Sequence, residues 1–283
     1  MAFPIILAHG ICRFDILLGG GETEDNRDDD SRHYFKNIRS TLRNEGGFTV
    51  YHTRVNWAGS ADERAADLKP QVERVLRETG AAKVNIIAHS MGGLDVRHLL
   101  FNCRNERLHE RVASVTTIGT PHRGTRFADW GIEHFGELQK FLDAARVDVK
   151  GFRDLTTVEC AKFNHRREVI AFEAIYKFEA HNPGDVQFRT YAGAQPLARV
   201  FAPLKAPFEY ILVNDGDNDG LVSVASATWD HQYFVPPVLN ADHLNEIGWW
   251  DEDEEFLLVF GEKRAHLERR VQDFYLTIAR SLP

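Results

Sequence analysis

Ser90 lies in the run Val84-Asn85-Ile86-Ile87-Ala88-His89-Ser90-Met91-Gly92-Gly93: a strand-like apolar segment, a serine between small residues, then a helix-compatible stretch. A serine in so tight a strand-to-helix turn takes a strained backbone angle, so the residues two before and two after it must be small. Ala88 and Gly92 meet that demand, Ala88 standing where glycine is commoner. The turn lifts the hydroxyl above a sheet and sets it at a helix N-terminus, which favours developing negative charge. The chemistry this predicts is nucleophilic attack by Ser90. Two N–H groups must then face the oxyanion. Met91, directly after the serine, supplies one, and Ile11, after His9-Gly10 at the end of the first apolar run, is the candidate for the other.

A serine hydroxyl is a weak nucleophile near neutral pH, so it needs a histidine as base and a carboxylate to fix that histidine's tautomer. The chain order serine, acid, histidine leaves His231, His243 and His266 among the thirteen histidines. His266 falls on a terminal helical pattern among charged neighbours, where a solvated histidine is the simple reading. His243, in the polar loop Asn240-Ala241-Asp242-His243-Leu244-Asn245, is preferred over His231. Asp215, Asp217 and Asp219 all precede it, and Asp219 is the candidate acid. The same stretch, Asp215-Gly216-Asp217-Asn218-Asp219-Gly220, matches half of a calcium loop, but Ser226 stands where the closing glutamate would be.

These groups need a scaffold. Pro4 to Ala8, Val50 to Val55, Val84 to Ala88, Ala113 to Gly119, Val186 to Ala192 and Tyr210 to Val213 read as strands, and Leu68, Val72, Val75 and Leu76 mark a helix between the second and third. Pro70 counts mildly against that helix. Alternating strands and helices predict an α/β fold with a mostly parallel central sheet and helices on both faces. Residues 123–187 break the rhythm and, with many aromatics, read as a helical insertion within a single domain spanning 1–283. Leu267, Val271, Phe274, Tyr275 and Ile278 predict a C-terminal amphipathic helix docked on the sheet. Trp249 and Trp250 read chiefly as packing anchors, and Glu22 to Asp30 as a solvated acidic loop.

The 283 residues, 43% of them hydrophobic, are enough for one large core. A net charge of -8 and the lack of a basic stripe exclude the usual nucleic-acid binder. Cys12, Cys103 and Cys160 form neither a disulfide framework nor a zinc motif. No apolar run is long enough for a transmembrane helix. With no leader pattern at Met1, the expectation is a cytoplasmic protein, or a secreted one if a leader has been removed. A dehydrogenase fails for want of a G-x-G-x-x-G after the first strand.

In order, His9-Gly10, Val84 to Gly93, Thr117-Ile118-Gly119-Thr120-Pro121-His122-Arg123-Gly124, Asn218-Asp219-Gly220-Leu221-Val222 and His243-Leu244 resemble the bacterial true lipases of the Pseudomonas and Burkholderia type, a branch of the α/β hydrolases. The resemblance implies an α/β-hydrolase fold, hydrolysis of lipid-like carboxylic esters, a triad of Ser90, Asp219 and His243, an oxyanion hole at Ile11 and Met91, and a lid in the insertion. Acyltransferase, phospholipase and thioesterase chemistry on the same triad, or a silent binding module, are the alternatives. Those lipases carry a structural calcium near the histidine, held partly by an aspartate two residues after it and a glutamine four beyond. Asn245 and Trp249 stand there, and no acid lies between Gln195 and Pro207, so no cofactor is expected. The long acidic loop from Phe14 to Ser31 also departs from the family's short turn.

Overall fold

A computed structural model describes residues 2–11, 29–56, 58–134, 149–177, 186–250 and 264–283. Five strands, β1 (Ile5–Ala8), β2 (Val50–His52), β3 (Val84–His89), β4 (Val112–Ile118) and β5 (Gln187–Tyr191), form a sheet in the order β2-β1-β3-β4-β5. Every pairing is parallel. β3, the strand that delivers Ser90, lies at its centre.

Parallel strands buried on both faces alternate their side chains between two cores. Ile6, Ala8, Ile86 and Ala88 face one core, while Ile5, Leu7 and Ile87 face the other. The helix α1 (Ile38–Asn44) packs on the second face. The next, α2 (Ala61–Thr79), covers the first with Leu68, Val72, Val75 and Leu76, as their spacing requires. It begins at a Ser60–Glu63 capping box and ends at Gly80 with φ 63°, so strong end signals tolerate Pro70 inside it. Beside it lies α3 (Met91–Asn102).

The insertion is helical where it is described: α4 (Arg126–Glu133), α5 (Val149–Asp154), α6 (Thr157–Asn164) and α7 (Arg167–Lys177). Residues 135–148 and 178–185 of it lie outside the described residues, as does most of the acidic loop. Phe163, Val169 and Phe172 join the first core, and Arg97 of α3 anchors α7 through Glu173, donating from Nε at 2.9 Å. Asn164 accepts from Arg97 Nη2 at 2.8 Å.

The expected strand at Tyr210 to Val213 is instead part of a helix, α8 (Lys205–Asp215). A four-residue apolar run carries no period of its own, and the flanking residues decide it. Leu204, Phe208 and Ile211 recur at helical offsets and are buried, whereas Val213 is 86% exposed, a placement no core strand would allow. Two prolines near its start, Pro203 and Pro207, suit a helix entrance. The short α9 (Val224–Thr228) follows, and beyond it Phe234 forms an isolated bridge to Thr190 of β5 and Leu239 one to Gly193 just after that strand. The closing helix α10 (Arg264–Arg280) buries Leu267, Val271, Tyr275 and Ile278 against the second face, as expected. No described helix is long and apolar enough to cross a membrane.

Arg64 of α2 and Asp95 of α3 form a buried two-pronged ion pair, with Arg64 Nη2 at 2.7 Å from Asp95 Oδ2 and a further bond to the His9 carbonyl at 2.8 Å. Burial lifts the Asp95 carboxyl above its ordinary value even beside the guanidinium. The fold therefore holds this pair together more than the pair holds the fold, but removing one partner strands a buried charge. Asp95→Ala is expected to lose about 3–5 kcal/mol of stability, measured by urea unfolding; a wild-type midpoint would contradict it.

Candidate active site

Ser90 follows β3 at φ 55°, ψ −135°, one of four non-glycine residues with positive φ among those described. The turn is held from two sides: Ser90 N donates to the Ile118 carbonyl of β4 at 3.0 Å, and Thr120 Oγ1 donates to the Ser90 carbonyl at 2.8 Å. Gly92 shows why the motif needs a small residue there, because a Cβ would lie 2.5 Å from the Ala8 carbonyl oxygen. Gly10 is constrained likewise: a Cβ on it would come within 2.6 Å of Ser90 Cβ and 2.7 Å of the Tyr34 hydroxyl.

The structure brings the three residues expected from chain order into one relay. Ser90 Oγ is 2.9 Å from His243 Nε2, and His243 Nδ1 is 2.7 Å from Asp219 Oδ2. A carboxylate only accepts, so Nδ1 carries the proton and Nε2 is left to accept from the serine. Asp219 is wholly buried; its Oδ1 accepts from the backbone of Leu221 at 2.8 Å and Val222 at 2.7 Å, and its carbonyl accepts from His243 N at 2.8 Å. The turn that presents it depends on Asn218, whose Oδ1 accepts from Gly220 N, and on Gly220 at φ 99°. Asp215 instead pairs with Arg126 on α4, so the three acids of the sequence motif do not converge. His231 and His266 are exposed and take no part.

Met91 begins α3 directly after the serine, and Ile11 lies just beyond β1, following Gly10, which abuts Ser90. The side chains of Met91 and Ile11 pack with Leu94, Phe127, Ala128, Phe152 and Leu155, so α4 and α5 of the insertion adjoin both. Trp250 is buried in the second core and Trp249 is partly buried beside it, as packing anchors should be.

Three groups were missed by sequence reasoning. The ring of His89, the residue directly before the nucleophile, stands 4.5 Å from that of His243 and bridges the Tyr34 hydroxyl at 2.7 Å and Glu246 Oε2 at 3.1 Å. Glu246 also lies 3.8 Å from His243 Nδ1. Burial, then the Asp219 and Asp242 charges, pushes the Glu246 carboxyl well above its ordinary range. Burial, then His243, drives His89 well below its own. The only available signal was spacing, since Glu246 follows His243 by three and shares its turn. His89, His243 and Glu246 together could face a cation, their ligand atoms lying within 4.8 Å of one another. A cation there would compete with the hydrogen bonds that join His243 to Asp219 and His89 to Tyr34 and Glu246, so the arrangement fits a hydrogen-bonded cluster better.

The buried acids set a pH dependence. A carboxyl raised in the folded state binds more protons there than in the unfolded chain, so stability is greatest at low pH and falls as pH rises through the folded value. Glu246 is raised well above 4.5, and Asp242, buried, is pushed up to about 6. The urea midpoint should fall as pH rises from about 4 through about 6, the range set by Asp242, and Glu246→Gln should flatten the fall to which Glu246 adds; an equally steep fall in the variant would contradict this assignment.

Comparison with known proteins agrees with this architecture. The family described as palmitoyl protein thioesterase matches residues 4–149. A triacylglycerol lipase of Vibrio cholerae is 30% identical over 247 residues, covering 79% of this chain and 73% of that protein, and triacylglycerol lipase 2 of Saccharomyces cerevisiae is 28% identical over 256 residues, covering 88% and 73%. A triacylglycerol lipase of Burkholderia plantarii is 40% identical over 131 residues, 45% of this chain and 32% of its own. Among solved structures, a Bacillus licheniformis lipase in its mature form superposes with a TM-score of 0.64 at 16% identity, over 92% of this chain and 91% of that one. A metagenomic carboxyl esterase gives 0.68 at 15% identity, over 99% and 75%. The shared sheet is that of α/β hydrolases. With a relay in the order serine, aspartate, histidine on that sheet, and relatives aligned along most of its length, the chain belongs to the triacylglycerol lipase family of the α/β hydrolases.

Proposed function

We propose that the chain hydrolyses carboxylic esters with medium to long acyl chains, as a lipase or esterase acting through an acyl-enzyme on Ser90. One observation carries this: a buried relay with Ser90 Oγ 2.9 Å from His243 Nε2 and Nδ1 2.7 Å from Asp219. His243 takes the hydroxyl proton as Ser90 Oγ bonds to the acyl carbon, and the oxyanion forms against the Ile11 and Met91 amides. The intermediate collapses, the alcohol leaves with the proton from His243, and a water activated by the same base releases the acid. Asp219 steadies the imidazolium.

The acyl chain is assigned to the apolar side of the site. Phe127, Phe152 and Leu155 of the insertion line up with Met91 and Ile11 there, which favours residues 123–187 as a lid and as part of the acyl pocket. No metal or cofactor enters the scheme. A thioester is the second reading, favoured by the family description that spans residues 4–149. It uses the same attack with a thiol as leaving group.

On p-nitrophenyl esters from acetate to palmitate, Ser90→Ala should lose activity by about 10⁴-fold or more, and His243→Ala similarly. Asp219→Asn should cost on the order of 10⁴ in kcat, since the imidazole loses its tautomer. Activity that survives Ser90→Ala would sink the scheme. Phe127→Ala should reduce turnover of esters of eight or more carbons several-fold further than acetate, by about 1–3 kcal/mol in discrimination. Equal losses on all chain lengths would remove the insertion from the acyl pocket. A palmitoyl thioester cleaved faster than the matching oxygen ester would favour the second reading.

A further inference from the structure

Beside the relay lies a buried polar cluster that the proposed chemistry does not use. Asp242 is wholly buried; its Oδ1 accepts from the backbone of Leu244 at 2.9 Å and Asn245 at 2.8 Å, and its Oδ2 from Phe201 N at 2.8 Å. Asn245, also wholly buried, accepts on Oδ1 from Gln195 Nε2 at 2.9 Å and from Asp242 N at 3.3 Å, and donates from Nδ2 to the Trp249 carbonyl at 2.9 Å. Gln195 Nε2 donates a second time, to the Arg199 carbonyl at 2.7 Å. Two side chains of the His243 loop are thus bonded across to residues 195–201, and Leu239 N bonds the Ala192 carbonyl just before them.

The lipases this chain resembles hold a structural calcium at this loop. The donor set here does not fit one. Calcium takes six to eight oxygens, several of them charged. Asn245 is neutral, both lone pairs of its Oδ1 already accept N–H groups, and its Nδ2 turns a donor toward the Trp249 carbonyl. The single acid, Asp242, spends its oxygens on three backbone N–H groups.

We propose that Gln195, Asp242 and Asn245 form a metal-free clamp that positions His243 for proton transfer. Asp242 precedes the base and Asn245 follows it by two, so the clamp grips the backbone on both sides of His243. The 2.9 Å approach of Nε2 to Ser90 Oγ is then set by hydrogen bonds to residues 195–201. A loosened base costs rate steeply, because a displacement near 1 Å takes on the order of 10²-fold from a positioned reaction. The three are positioning residues, since none touches Ser90 Oγ. The inference rests on His243 being the base, as proposed above.

The test compares the purified chain in excess chelator and in calcium chloride, reading Tm, kcat and KM on p-nitrophenyl butyrate. Unchanged values in both solutions are expected; a Tm or kcat that falls with chelator and returns with calcium alone would overturn the clamp. Asn245→Ala should then lower kcat about tenfold or more while KM moves less than about threefold, and calcium should not restore it. A folded Asn245→Ala with wild-type kcat would equally overturn the proposal. Gln195→Ala removes the bonds to Asn245 and to the Arg199 carbonyl but leaves Asn245 its contact with Asp242, so it gives the same split if Asn245→Ala does not fold. A wild-type chain inactive on every ester would count against the ester reading, whereas the Tm arm tests the clamp without any activity.

Discussion

Ser90 is held at φ 55°, ψ −135°, a conformation that costs a serine on the order of 1–3 kcal/mol and survives only where its surroundings over-determine it. Much of the structure can be read as that over-determination. β3 delivers the chain from the middle of a parallel sheet and α3 carries it away, while bonds from Ser90 N to Ile118 and from Thr120 to the Ser90 carbonyl fix the turn between them. The strain aims one hydroxyl at His243, and the segments that carry His243 and Asp219 complete the relay.

Those segments arrive by different physical routes. Asp219 is fixed by a local turn whose backbone N–H groups fill one carboxylate oxygen, leaving the other for His243. His243 sits in a loop without regular structure, so its geometry depends on buried polar groups around it. On one side these are the hydrogen-bonded pair of His89 and Glu246, and on the other Asp242, Asn245 and Gln195. Buried polar networks of this kind hold a geometry when fully satisfied and weaken it when one bond is lost. Burial, then the Asp219 and Asp242 charges, raises the Glu246 carboxyl and so disfavours a second negative charge beside Asp219.

The insertion differs in character. It is attached through ionic and aromatic contacts of Arg97, whose guanidinium lies 5.2 Å from the Phe163 ring centroid and also bonds Glu173 and Asn164. Apolar contacts then tie α4 and α5 to Met91 and Ile11. Helices joined to the sheet through side chains rather than through strand pairing can vary in sequence without disturbing the relay.

The sequence by itself determined whatever depends on neighbours along the chain. The elbow from Val84 to Gly93 was legible because sterics within a few residues dictate small side chains at 88 and 92, and the parallel sheet because period and burial go together. Asp219 and His243 were reached by chain order, but only the folded chain shows the hydrogen bonds that join residues 24 and 153 positions apart. The tertiary structure alone decided that Tyr210 to Val213 is helical, since a short apolar run takes its conformation from what covers it. It alone placed Glu246, Tyr34 and His89 in one cluster and set Gln195 against Asn245. Such groups carry no periodic signal, for their pairing is created by burial between segments distant in sequence.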